Sequence, residues 1–187
     1  MGDFTYLGSL MSSSVVDVKK RIALAWAASN SMAKIWKSNI SKTVRLRLFR
    51  ATVESVLLYG SEAWTLTDTT TKRLDGAYTR LLRTALGVSW RDRVKNEMLY
   101  GNLPKVSETI RRRRLKLAGH CYRHPEEAAS GLVLWEPKHG KRKRGRPALT
   151  YIDQLCRDTD LTPDEMTTCM LNRELWRYRQ VAVRAPT

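Results

Sequence analysis

The chain has few of the residues on which most enzyme chemistry is built. Three cysteines and three histidines are spread over 187 residues. Cys121, Cys156 and Cys169 are odd in number and irregularly spaced, which argues against a disulfide framework and fits free thiols in an intracellular protein. His120, Cys121, His124 and Cys156 lack the paired spacing of a zinc site, and only His120 and His124, at i and i+4, could share one metal. No G-x-S-x-G elbow, Walker loop, G-x-G-x-x-G turn or H-E-x-x-H pair occurs. The acidic residues are scattered, with no close pair in an apolar strand suited to Mg²⁺. No stretch approaches eighteen apolar residues, so no segment reads as a membrane span. The start, MGDFTYLGSLMSSS, has neither a basic n-region nor a long apolar run, so it does not read as a secretory signal. Tyr6 also stands where a myristoylation motif would place Ser or Thr. These absences assign no catalytic residue, no metal ligand and no cofactor to the chain.

What is abundant is positive charge. Lys and Arg number 34 against 18 Asp and Glu, a formal net charge of +16 and an isoelectric point near 10.2. Such a balance draws a protein to polyanions, nucleic acid first and anionic membrane surfaces second. From Lys105 to Arg146, thirteen Lys or Arg stand against four Glu, a net +9 in less than a quarter of the chain. That concentration marks a binding surface. The 42% hydrophobic content, with six Trp and seven Tyr, can still supply a core.

The apolar residues recur with helical spacing. The pattern predicts a helix from Val16 to Lys37, with Ile22, Trp26, Ser29, Ala33 and Trp36 on one face. It predicts a second from Lys42 to about Tyr59, capped by Ser41, with Leu46, Phe49, Val53 and Val56 aligned. A third is capped by Asp68, carries Leu74, Tyr78, Leu81 and Ala85 on its apolar side, and stops at Gly87. Short connections between them imply a bundle. A short helix and turn follow over Trp90–Gly101. A basic helix opens near Ser107 and ends at Pro125. A short amphipathic helix spans Thr150–Asp158. Thr162-Pro163-Asp164-Glu165 is a strong helix start, leading to one helix reaching about Arg184 with Leu171, Leu175 and Tyr178 inward. Phe4–Gly8 reads as a lone strand.

The basic helix carries Arg111-Arg112-Arg113-Arg114, which cannot be one patch, because neighbours on a helix point about 100° apart. Ile110, Leu115, Leu117, Ala118, Cys121 and Tyr122 fall on an apolar side. Arg112, Arg113, Lys116, His120 and Arg123 fall opposite, within an arc of about 100°. Arg114 lands among the apolar positions and is expected to pair with a carboxylate or to snorkel. Gly119, at the edge of the arc, would let a backbone come close. A cationic stripe of this kind fits a phosphate backbone, and equally a solvated face.

The stretch KHGKRKRGRP, residues 138–147, holds six cations, two glycines and a proline. Its Arg144-Gly145-Arg146-Pro147 core resembles an AT-hook, in which two arginines flanking a glycine enter a narrow minor groove. Lys141, Arg142, Lys143 and Arg144 read equally as a nuclear localisation signal or as a flexible phosphate clamp.

Several blocks occur in a recognisable order. They are Tyr6-Leu7-Gly8-Ser9; Arg21-Ile22 with Ala25 and Trp36; Leu57-Leu58-Tyr59-Gly60-Ser61-Glu62-Ala63-Trp64; Arg80-Leu81-Leu82-Arg83 with Leu86-Gly87-Val88-Ser89-Trp90; Arg113-Arg114-Leu115 with Ala118-Gly119-His120 and Arg123; Gly140-Lys141-Arg142 with Arg144-Gly145-Arg146-Pro147; and Trp176-Arg177. The series resembles the C-terminal part of the reverse transcriptases of non-LTR (LINE-type, RTE-like) retrotransposons. The chain departs from the family pattern at Val15-Val16 and at Asn172-Arg173. The resemblance implies that residues 1–14 correspond to the end of the palm, 15–90 to a thumb-like helical bundle, and 91–187 to a basic helical C-terminal region. It implies RNA-templated DNA synthesis as the parent process, with the catalytic aspartates and their Mg²⁺ in a palm that this chain does not include.

Together these readings give an all-α protein with an irregular cationic arm, not an enzyme by itself. It is expected to bind RNA, DNA or an RNA–DNA hybrid through Arg112, Arg113, Lys116, His120, Arg123, Lys141, Arg142, Lys143, Arg144 and Arg146. The expected partners include the fingers and palm of the same polyprotein, and no membrane. The expected location is intracellular and nuclear. Three alternatives stand beside this reading: a domesticated DNA-binding protein using the Arg-Gly-Arg-Pro arm in the minor groove, a basic protein-interaction module, and an open reading frame with no role.

Overall fold

A computed structural model of the chain describes residues 5–6, 9–10, 13–126, 130–134 and 149–181. The fold is all-α, as the periodicity predicts. One minimal hairpin precedes the helices: β1 (Thr5–Tyr6) pairs antiparallel with β2 (Ser9–Leu10), Thr5 opposite Leu10. The strand expected to lack a partner thus finds one four residues on. The described residues form two compact units. One holds residues up to Gly60 and Leu66–Thr109; the other holds Ser61–Thr65 and the chain from Ile110 onward.

In the first unit, α1 (Ser14–Ser31) is followed by the short α2 (Ala33–Trp36). The expected face of α1 is turned by one residue. Asp17, Val18, Arg21, Ala25 and Ser29 are buried, while Ile22 and Trp26 are half-buried and Ala33 is exposed. The cause is a buried cation that an apolar count ignores. Arg21 lies 4.0 Å from Asp17 and stacks 4.4 Å from the centroid of the Tyr59 ring. Trp36 is buried as expected and donates its indole N–H to the Ser29 carbonyl at 2.9 Å.

Ser41 caps α3 (Lys42–Phe49), accepting from the Val44 amide at 3.4 Å. A π-helical segment, Arg50–Glu54, then leads into α4 (Ser55–Leu57). The wider turn takes up one extra residue and shifts the face. Phe49 and Val53 are buried as expected, but Leu57 and Leu58 replace Val56. Helix α5 (Asp68–Leu86) is capped by Thr67, not by Asp68, which is its first residue, and ends at Gly87, whose φ of 69° a side chain would resist. Its Leu74, Tyr78, Leu81 and Ala85 are all buried. Tyr78 meets Phe49 edge-on, ring centroids 5.5 Å apart, and donates its hydroxyl to Glu54 at 2.7 Å. Burial first, and then Glu54, push the Tyr78 hydroxyl well above its ordinary pKa. Helix α6 (Asn96–Tyr100) follows, and α7 (Val106–Arg123) opens with Ser107 donating its N–H and hydroxyl to Asp75, at 3.0 and 2.9 Å.

The second unit takes the rest of α7, the short α8 (Ser130–Val133), α9 (Tyr151–Thr159), α10 (Pro163–Leu171) and α11 (Arg173–Val181). Thr150 and Thr162 form capping boxes with Asp153 and Glu165, and Pro163 occupies the first helical position of α10. The single terminal helix expected after Thr162 is instead two. Asn172 adopts ψ 106°, which breaks α10, and its side chain accepts from the amides of Glu174 and Leu175 at 3.0 and 3.1 Å, starting α11. The break resets the phase. Met166, Met170 and Trp176 enter the core, whereas Leu171, Leu175 and Tyr178, expected inside, are exposed. The core also holds Leu115, Ala118, Cys121, Val133, Ile152 and Leu155.

Candidate nucleic-acid interface

Four consecutive arginines on α7 have four different surroundings. Arg111 is buried, donating from Nε to the Asp158 carbonyl at 2.9 Å and from Nη2 to the Arg179 carbonyl at 3.0 Å. Arg114 is 2% exposed and ion-pairs with the Asp158 carboxylate, which also accepts from Gln154 Nε2 at 3.0 Å. The carboxylate partner expected for Arg114 is therefore Asp158, 44 residues along the chain. These two cations belong to the fold: their directional bonds tie α7 to α9 and α11 where a phosphate cannot reach.

Arg112 and Arg113 face outward. Arg112 is exposed, as are Lys116 and His120 one and two turns further along. The three stand at i, i+4 and i+8, about 6 Å apart along the axis, on one face. Arg113 is half-buried, and its Nη1 lies 3.7 Å from Glu62 Oε1. Glu62, Arg113, Lys116, Leu117 and His120 line an open cleft of about 350 Å³. Glu62 is itself set in place by its neighbourhood, since its carbonyl accepts from the half-buried Tyr151 hydroxyl at 3.2 Å. Burial raises the Tyr151 pKa, partly offset by the Arg114 charge. Leu117, expected on the apolar side, is 39% exposed and sits in the cleft wall.

Arg123 differs from the rest of the predicted stripe. It is half-buried and turns its Nη1 onto the Met170 carbonyl at 2.8 Å, near the end of α10. Gly119 does make room for a close approach, but the group that comes close is the Trp176 indole. A Cβ built on Gly119 would overlap the indole nitrogen and stand 3.1 Å from Arg123 Nη1. That indole N–H donates to the Leu115 carbonyl at 2.7 Å. Arg173 and Arg177, which bracket Trp176, are exposed. The sequence reading missed both, because without a break at Asn172 the phase of α11 comes out wrong. The signal for them was Asn172 itself, a good N-cap ahead of Glu174.

The rings of His120 and His124 lie 4.5 Å apart, and His124 Nδ1 is 3.0 Å from Glu126. Cys121 is in the core, away from that surface pair. The remaining predicted contacts, Lys141, Arg142, Lys143, Arg144 and Arg146, fall outside the described residues, as does the whole cationic arm.

Among the described residues no helix is long and apolar enough to cross a membrane. No family model and no solved structure matches the chain. The chain is similar to a Caenorhabditis elegans protein whose name describes it as transposon-derived, with 27% identity over 192 residues, covering 93% of this chain and 68% of that protein. That likeness relates the chain to transposon-derived sequence.

Proposed function

We propose that the chain is a nucleic-acid-binding C-terminal part of a non-LTR-type reverse transcriptase, without catalytic residues of its own. The observation that carries this reading is the outward row Arg112, Lys116 and His120, exposed on one face of α7. Two cations and an imidazole along one helical face bind phosphates without reading bases. The similarity to a transposon-derived protein supports the same origin. In this reading the helical unit before Ile110 takes the thumb's place against a primer–template duplex. The unit after it, with the cationic arm, holds template RNA or target DNA. The fingers and palm of the same polyprotein, where the family's Mg²⁺ and aspartates reside, would be its partner, in the nucleus.

The test is fluorescence anisotropy of the whole chain with an RNA–DNA hybrid, an A·T-rich duplex and a G·C-rich duplex over a salt series. The expected result is tightest binding to the hybrid, similar and weaker binding to both duplexes, and a log–log salt slope of about −4 to −5. A slope near zero, or binding to anionic vesicles alone, overturns the reading. An A·T preference lost on changing Arg144 and Arg146 to Ala would instead make the chain a minor-groove binder in its own right.

A further inference from the structure

Away from the row on α7, Arg123 lies where α7 ends and α11 begins, beside the helix that carries Arg173 and Arg177. Arg123 is fixed, not free to swing, because Nη1 donates to the Met170 carbonyl at 2.8 Å. It shares the space over Gly119 with the Trp176 indole, which is itself tied to Leu115. Trp176 therefore brings its own helix against α7 at the level of Arg123. Arg173, three residues before it, and Arg177, one after it, are one turn apart on α11 and exposed. The approach is close enough to be felt. Desolvation first, then the charges of Arg173 and Arg177, lower the pKa of Arg123. Among the described residues no carboxylate forms an ion pair with any of the three.

Like charges held together without a counter-charge are unfavourable, and proteins ordinarily interleave acids to relieve them. Here no ion pair joins them to an acid among the described residues: the fold pins one guanidinium by a main-chain bond and carries two more on the capped helix beside it, with Glu174 between those two in sequence. Guanidinium forks match phosphate oxygens in pairs. We infer that Arg123, Arg173 and Arg177 form a phosphate-binding site at the junction of α7 and α11, separate from the Arg112–Lys116–His120 row. Arg123 supplies the fixed charge, and Arg173 and Arg177 close over the phosphate. The phosphate comes either from the interior of a strand or from a strand's 5′ terminus. That source rests on the nucleic-acid reading above, whereas the anion site itself does not.

The site is tested first with inorganic phosphate, which needs no nucleic acid. In the ¹⁵N-labelled chain the Nε–H resonance of Arg123, identified by its loss in R123K, should shift saturably on titration. In R173A/R177A, whose changes are on the surface and should leave the melting temperature unaltered, the same titration should weaken about tenfold or more. No saturable shift, or an equal one in the double variant, overturns the site even if the chain binds duplexes well. The second arm compares oligonucleotides with and without a 5′-phosphate. Preference for the phosphorylated end, lost in R173A/R177A, assigns the site to strand termini. Equal affinity, with the double variant flattening the salt slope by about 2, assigns it to the backbone. Unchanged affinity and slope in the double variant would overturn the site for nucleic acid while leaving the α7 reading standing.

Discussion

Arg111, Arg112, Arg113 and Arg114 follow one another in the chain, and each turns about 100° from the last. A cation count treats them alike, yet the structure spends them differently: two on carbonyls and a carboxylate inside, one beside Glu62, one outward. Their responses to alanine should differ as much. R114A leaves Asp158 buried against a void and should cost about 3–5 kcal/mol. R112A should stay within about 0.5 kcal/mol of the parent in stability while lowering nucleic-acid affinity and reducing the salt slope by about 1. Urea unfolding and anisotropy on the same two variants separate the effects. Arg114 already stands apart in the sequence, because steps of about 100° put it among Ile110, Leu115 and Ala118. Arg111 was not legible in that way. Its partners are main-chain carbonyls 47 and 68 residues away, and a carbonyl leaves no trace in composition.

Helix positions were legible wherever a cap or a glycine announces them, as at Ser41, Gly87, Thr150 and Thr162. Helix phases were legible only while the helix stayed regular. The π turn at Arg50–Glu54 and the break at Asn172 each displaced the inward face, and neither changes the apolar count on which the phase was judged. The packing of α11 on α7 depends on one missing side chain. G119A places a methyl group where the Trp176 indole sits. It should destabilise the second unit by about 1–3 kcal/mol and move the Trp176 indole N–H resonance. The start of α10 carries a pH dependence. The Thr162 amide and hydroxyl donate to Glu165, at 2.8 and 2.9 Å, and hold its carboxyl below the ordinary range. A depressed carboxyl stabilises the fold above its unfolded-state pKa, and that contribution fades as pH falls through the folded value. The urea midpoint of E165A should therefore lie below the parent's at pH 7, and the two should converge on acidification below the usual glutamate range.

At the scale of the whole chain, +16 predicts attraction to polyanions but not where they dock. The fold class was legible because apolar residues recur at helical spacing between clear caps and stops. The stripe on α7 was legible in outline, with Arg112, Lys116 and His120 outward. Its end was not, since Arg123 turns to the Met170 carbonyl and feels the charges of Arg173 and Arg177, residues that lie far off in sequence. Proximity of that kind comes from tertiary packing, here from a tryptophan over a glycine, and no local pattern contains it.

The burial of Arg111 and Arg114 also bears on how the basic helix can be studied in isolation. A synthetic peptide covering α7 would have no Asp158 and no α11 carbonyl to occupy those two guanidinium groups. Both would turn to solvent as free cations, and a polyanion would bind the peptide more tightly, with a steeper salt response, than the same surface of the folded chain. Affinity measured on the fragment would then overstate the protein's own, by the two charges that folding withdraws from the surface.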